Sequence, residues 1–343
     1  MSFKLENIIR ENVKRMAPYS SARDEYSGAA AIFLDANENP FDTGLNRYPD
    51  PYQWELKEAI SKIKKVAAEN IFLGNGSDEP IDLLFRAFCE PAKDNVVAIA
   101  PTYGMYKVCA DVNNVEYRNV LLGANYELSA NKLLDACDNN TKAIFICTPN
   151  NPTANALSPT EIEKVIASTN ALVILDEAYI DFSEFDSFTG KLNQYPNLII
   201  LQTFSKAWGL AGMRLGMAYA SDDIVKVFNK IKYPYNINIL TQNKALEILR
   251  ENNMQAELKE ILSERNKLCQ NLETLPFVEK ILPSQTNFLM VKVKEPAMVM
   301  NYLLSKKIIV RDRSKVQLCE GYLRITVGTP TENKTLLSAL QEL

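Results

Sequence analysis

Thr203-Phe204-Ser205-Lys206-Ala207-Trp208-Gly209-Leu210-Ala211-Gly212-Met213-Arg214-Leu215-Gly216 is the stretch on which the fold of this chain turns. It continues the apolar run Leu198–Thr203 and sets one lysine just past it among small residues, with an arginine eight positions on. A short run rich in Ile and Leu at successive positions is expected to be a strand buried on both faces. Lys206 then falls just beyond a strand end, where its ammonium is desolvated and the small residues leave room for a planar ring. The Ser205 hydroxyl and the Arg214 guanidinium suit a dianionic phosphate. A bare Ser-Lys pair fits a surface lysine just as well, with Arg214 in an ion pair, and only the fourteen-residue pattern speaks against that.

Outward from this stretch the same alternation recurs. Further strands are expected at Ala30–Asp35, Asn95–Ala100, Lys142–Cys147, Ala171–Asp176 and Arg214–Ala220, with helices between them. Ser158-Pro159-Thr160-Glu161 has the order of a capping box with Pro at the first helical position. Ser77-Asp78-Glu79-Pro80 opens another helix with acids at its positive end. Alternation of this kind gives an α/β fold with a mainly parallel sheet sandwiched by helices. After Ala220 the pattern changes to long charged helices over Ile239–Leu272, short strands near Asn287–Val293, Ile308–Arg311 and Tyr322–Val327, and a last helix at Glu332–Leu343. The expected division is residues 1–30 as a segment packing on the small domain or a partner, 31–235 as the large domain, and 236–343 as connecting helices and a small α+β domain.

Composition narrows the chemistry. A chain of 343 residues with a net charge of −4 has no bias toward nucleic acid or anionic membrane. No run is apolar enough for a signal peptide or a membrane span, and the six cysteines are scattered without a CxxC pair. A cytoplasmic protein with reduced thiols is expected. The chain contains no histidine. Ser-His-Asp and Cys-His nucleophiles, HExxH zinc sites and histidine bases are all excluded, and no metal site is expected. Proton transfer near neutral pH must fall to a tuned Lys, a carboxylate, Tyr or Cys.

Four more segments bear on Lys206. Gly74-Asn75-Gly76-Ser77-Asp78-Glu79 is a glycine-containing turn that opens a helix, and free amides at a helix N-terminus form an anion site. Val173-Ile174-Leu175-Asp176-Glu177-Ala178-Tyr179 places a carboxylate at a strand end, thirty residues before the lysine. Asp-Glu at such a place could also hold a metal, but the chain has no GxxxxGK[ST] loop. Thr148-Pro149-Asn150-Asn151-Pro152-Thr153 and Ala100-Pro101-Thr102-Tyr103-Gly104 are turns after strands, and each alone is open to a purely structural role.

Together these five segments resemble fold-type I pyridoxal-phosphate aminotransferases, in the order and spacing of that family, and the resemblance covers essentially the whole chain. It implies a seven-stranded-type sheet in the large domain and pyridoxal 5'-phosphate held on Lys206. Gly76, Ser77, Asp78, Ser205 and Arg214 match the residues that hold the phosphate. Asp176 matches the partner of the ring nitrogen, Asn151 and Tyr179 those at the phenolic oxygen, and Tyr103 the aromatic that stacks on the ring. Tyr48 resembles the residue that reaches the cofactor of the other subunit, which implies a homodimer with the active site at the interface. Within the family, Pro18-Tyr19, Leu34–Pro40, Arg47–Asp50, Arg311-Asp312 and Gly321–Gly328 resemble the branch that acts on histidinol phosphate, with glutamate and 2-oxoglutarate as the second substrate pair. The resemblance implies Arg324 and Arg311, thirteen positions apart, as anion binders, with Tyr19 and Asn37 as further substrate contacts. Threonine-phosphate decarboxylase and aromatic aminotransferases share the same parts and stay open, as does, more remotely, a non-catalytic cofactor-binding regulator.

Overall fold

The computed structural model describes residues 3–19, 32–251 and 254–343. Seven strands form one sheet: β1 (Ile71–Asn75), β2 (Asn95–Ala100), β3 (Glu116–Leu121), β4 (Thr141–Cys147), β5 (Leu172–Asp176), β6 (Leu198–Thr203) and β7 (Leu215–Tyr219), in the order β1-β7-β6-β5-β4-β2-β3. Only β7 runs against its neighbours. Side chains alternate across a strand, and here both faces are covered. Val173, Leu175, Leu198 and Ile200 point into one apolar cluster with the helices Trp54–Lys64 and Pro159–Ser168. Leu172, Ile174, Ile199 and Leu201 point into a second with the helices Asp78–Phe88 and Asp222–Ile231. That double burial is why these strands read as continuous apolar runs.

Four shorter strands, β8 (Val278–Ile281), β9 (Phe288–Val293), β10 (Arg311–Asp312) and β11 (Tyr322–Thr326), make an antiparallel sheet in the order β10-β11-β9-β8. Leu289, Val291, Leu323 and Ile325 pack there against Leu268 and Leu272 of the helix Met254–Leu272 and Leu336 of the helix Pro330–Gln341. The expected α/β architecture with a small α+β unit is the one observed.

Several expectations are corrected. Residues 32–35 carry no strand, and Ala30 and Ala31 lie outside the described residues. An apolar run becomes a strand only where a sheet edge takes its backbone bonds, and here Ile32 and Leu34 are 78% and 89% exposed. Of the strands outside the expected set, β1 is a short apolar and buried run before the glycine turn, whereas β3 and β8 are polar, half-exposed edges whose sequences lack an apolar run. Ser158 forms no side-chain cap, and the Glu161 carboxylate accepts from the Ala130 amide at 2.7 Å instead of reaching back to the cap. A capping box does form at Thr329 and Glu332. Of the segment expected on the small domain or a partner, the described residues 3–19 make contacts with the helices that cover the seven-stranded sheet. Ile8 and Val13 enter the cluster with Phe85 and Phe228, and Arg10 pairs with Glu90 at 3.1 Å.

Candidate active site

The sheet's topology gathers the ends of β4, β5 and β6, the end of β1 and the start of β7 along one edge, because β7 runs opposite to its neighbours. Open α/β sheets bind ligands at that edge. A cavity of about 380 Å³ lies there, lined by Gly76, Ser77, Asp78, Tyr103, Asn151, Asp176, Tyr179, Ser205, Lys206, Arg214, Arg311 and Arg324 among others. Its size suits a small ligand with a cofactor.

The floor is Asp176, the last residue of β5 and 3% exposed. Burial pushes its carboxyl up from the usual carboxylate range, opposed by the Tyr106 hydroxyl and the Ala178 amide, which donate to it at 2.5 and 3.1 Å. A desolvated carboxylate of this kind calls for a cation at its open edge. Lys206 stands beyond β6 with its Nζ 5.5 Å from the Tyr179 ring centroid. Its pKa is lowered, chiefly by burial and then by the Arg324 guanidinium. Burial likewise keeps the Tyr179 phenol protonated.

The opposite end is built for an anion. Gly76 has φ +70°, and a Cβ there would stand 2.6 Å from Arg214 Nη2. Glycine thus lets Arg214, itself at φ 51°, lie across the turn that opens the helix Asp78–Phe88. Arg214 Nη2 donates to Asp78 Oδ2 at 3.4 Å, and the Tyr103 hydroxyl donates to Asp78 Oδ1 at 3.0 Å. On the side of the small domain, Arg324 Nη1 donates to Asn151 Oδ1 at 2.6 Å, which leaves the amide's NH2 end as its free donor. A helix-start anion turn, a wall of Tyr103, a buried carboxylate and one amine fit a flat cationic ring with a phosphate, and this is the donor set that pyridoxal 5'-phosphate requires.

Tyr48, Asn37 and Tyr19 lie apart from this cavity. Asn37 and Tyr48 line a second cleft, in which Tyr48 stacks on Tyr235 at 4.4 Å, and Tyr19 lines a small third one that also reaches Tyr235. Two residues that sequence reasoning missed belong to the site. Tyr106 is fully buried and bonded to Asp176 across 70 residues of sequence, a contact that no local signal announces. Arg313 lines the cavity, and its spacing of two from Arg311 was the available signal.

The chain belongs to the aminotransferases of class I and II: the family description "Aminotransferase class I and II" matches residues 31–340. Within that class it is similar to histidinol-phosphate aminotransferases. It is 57% identical over 340 residues to that of Bacteroides thetaiotaomicron, covering 98% of each chain. It is 50% identical over 346 residues to that of Cytophaga hutchinsonii, covering 99% of each. Among solved structures, the histidinol-phosphate aminotransferase of Sinorhizobium meliloti in complex with pyridoxal-5'-phosphate has the same fold. Its TM-score is 0.79 at 24% identity, over 86% of this chain and 82% of that one.

Proposed function

We propose that this protein transfers the amino group of L-histidinol phosphate to 2-oxoglutarate, giving imidazole-acetol phosphate and L-glutamate for histidine biosynthesis, with pyridoxal 5'-phosphate as its cofactor. The relatives at 50% and 57% identity support the substrate. The observation that carries the reading is that Lys206 shares one cavity with a buried carboxylate and an anion turn on one side and arginines on the other. The donor is oxidised to a ketone as the acceptor's ketone is reduced to an amine, so no outside oxidant is needed.

Bound in this cavity, pyridoxal 5'-phosphate supplies an electron sink for the pair left behind when a donor's α-hydrogen departs as a proton. The chain supplies the rest. Asp176 offers its desolvated carboxylate to a ring nitrogen, and Gly76, Ser77, Asp78, Ser205 and Arg214 surround the phosphate. Lys206 Nζ is the one lysine amine among the described lining residues, and burial weakens its hold on a proton. It therefore takes the α-proton and returns it on the far side of the exchange. Arg324 meets the α-carboxylate of glutamate through a forked bond. Histidinol phosphate carries a phosphate ester in that place, and Arg311 adds the second cation it needs. Tyr19 and Asn37 lie outside this cavity, so in this reading their contact with substrate is made across the dimer interface, from the partner subunit.

The working unit is a homodimer. Large apolar side chains stand open on 32–48 and 233–240, among them Phe41 at 78% and Leu240 at 62%, an extent that marks an interface. Tyr48, on that same surface, reaches the cofactor phosphate of the partner subunit. All six cysteines are free, which fits a reducing, cytoplasmic setting. Among the described residues no helix is long and apolar enough to cross a membrane.

A half-reaction screen followed by cofactor absorbance tests the function. Histidinol phosphate and glutamate should both convert the cofactor, whereas phenylalanine and threonine phosphate should do so weakly. Carbon dioxide release from threonine phosphate without amino transfer would sink the reading. Lys206→Ala should abolish turnover together with the borohydride-reducible absorbance, and full activity in that variant would end the proposal.

A further inference from the structure

The small sheet presents more positive charge to the cavity than a carboxylate needs. Arg311 on β10 is paired directly opposite Arg324 on β11, so both side chains leave the same face. Arg313, two residues past Arg311, keeps that face by strand periodicity, and its amide still donates across to the Tyr322 carbonyl at 2.9 Å. Asp312 lies between them and is turned to the other face, where its Oδ1 accepts from the Ser314 amide at 2.7 Å. Among the described residues none of the three arginines pairs with an acid. Arg324 bonds a neutral amide oxygen, and the groups that act on Arg313 are the other two arginines, Cys319 and Tyr179. Arg313 Nε is also buried without a hydrogen-bond partner. Arg313 therefore lines the cavity beside Arg311 and Arg324 as a guanidinium that no acid neutralises.

We propose that Arg313 is a third substrate-binding cation, and that with Arg311 and Arg324 it forms a site selective for a phosphate-monoester dianion on the amino donor. This deepens the function proposed above and rests on it for the donor's identity. A monoester offers three terminal oxygens and close to two charges at neutral pH, against two oxygens and one charge for a carboxylate. Arg324 and Arg311 match a carboxylate or two of the phosphate oxygens, and Arg313 is the partner for the third.

Holoenzyme is used for the test, so that the cofactor's own phosphate fills the Gly76–Asp78 turn and added phosphate reads the arginine cluster. Arg313→Gln should weaken calorimetric binding of inorganic phosphate by about tenfold or more, the worth of a charge-assisted bond. The ratio of kcat/KM for histidinol phosphate to that for glutamate should fall by a similar factor. Arg313→Lys keeps the charge without the fork and should recover part of both losses, which separates charge from general disruption. Phosphate binding unchanged in Arg313→Gln would overturn the inference. Equal loss for both amino donors would overturn it too, by giving Arg313 a general structural role. Phosphate binding that depends on Arg313 in an enzyme that does not turn over histidinol phosphate would support the site and refute the donor.

Discussion

Asp176 and Tyr106 show how much of this chemistry is set by single side chains. A carboxylate buried on the floor of the cavity holds its proton more tightly than one in water, and the Tyr106 hydroxyl at 2.5 Å works against that by stabilising the anion. Tyr106 is itself clamped, its ring stacked on Phe145 at 4.7 Å and edge-on to Tyr103 at 5.6 Å. Tyr106→Phe keeps this packing and removes one hydrogen bond. Because a bond to a charged group contributes roughly 1.5–3 kcal/mol, kcat should fall by about tenfold or more while KM stays close to the native value. The acid limb of the pH–rate profile should move to higher pH, since Asp176 loses a bond that favours its charged form. Loss of stability with an unmoved profile would make Tyr106 merely structural. Lys206, Asp176 and Arg214 were legible because each sits in a contiguous motif after a strand. Tyr106 was not, since its role exists only through a residue far away in sequence.

At the scale of elements, the contact between β7 and the anion turn is decisive. Gly216 pairs with Gly74 on β1 and with Thr203 on β6. A Cβ on Gly216 would lie 2.3 Å from both the Gly76 carbonyl carbon and the Ser77 nitrogen, which are backbone atoms with little room to yield. Gly216→Ala should therefore push the turn outward and cost about 1–3 kcal/mol, as overpacking does. Thermal denaturation would show the loss, and equilibrium dialysis should show weaker cofactor binding. A melting temperature and affinity equal to the native ones would refute the close approach. The central strands were readable as apolar runs because both their faces are covered. The edges β3 and β8 were not, because a half-exposed strand carries charges such as Arg118 and Lys280 that local pattern cannot tell from a loop.

For the molecule as a whole, one buried charge sets a pH dependence of stability. Lys57 is 1% exposed in the helix Trp54–Lys64, and its pKa is lowered to about 8, mainly by burial and then by Lys232, against the opposing pull of Asp50. The unfolded chain holds that proton up to about pH 10.4. Between those values the unfolded state binds more protons, so stability rises with pH through the window, and the penalty is complete below about pH 8. Lys57→Met fills similar space without the charge. It should raise unfolding free energy at pH 7 by an amount on the order of 3 kcal/mol. The gain should shrink to nothing above about pH 10.4, as followed by urea denaturation across pH. A gain independent of pH would show that the lysine's charge is not the cause.

By itself the sequence determined the alternation of strands and helices, the turn that opens a helix with glycine and acids, and the lysine after β6. These depend on hydrophobic period and turn chemistry, which act over a few residues. The tertiary structure alone decided which strand ends meet, that Tyr106 supports Asp176, that residues 3–19 contact the helices covering the seven-stranded sheet, and that Arg313 joins Arg311 and Arg324 around one cavity. Those contacts follow from packing between elements tens to hundreds of residues apart, and sheet register, not local pattern, fixes which side chains share a face.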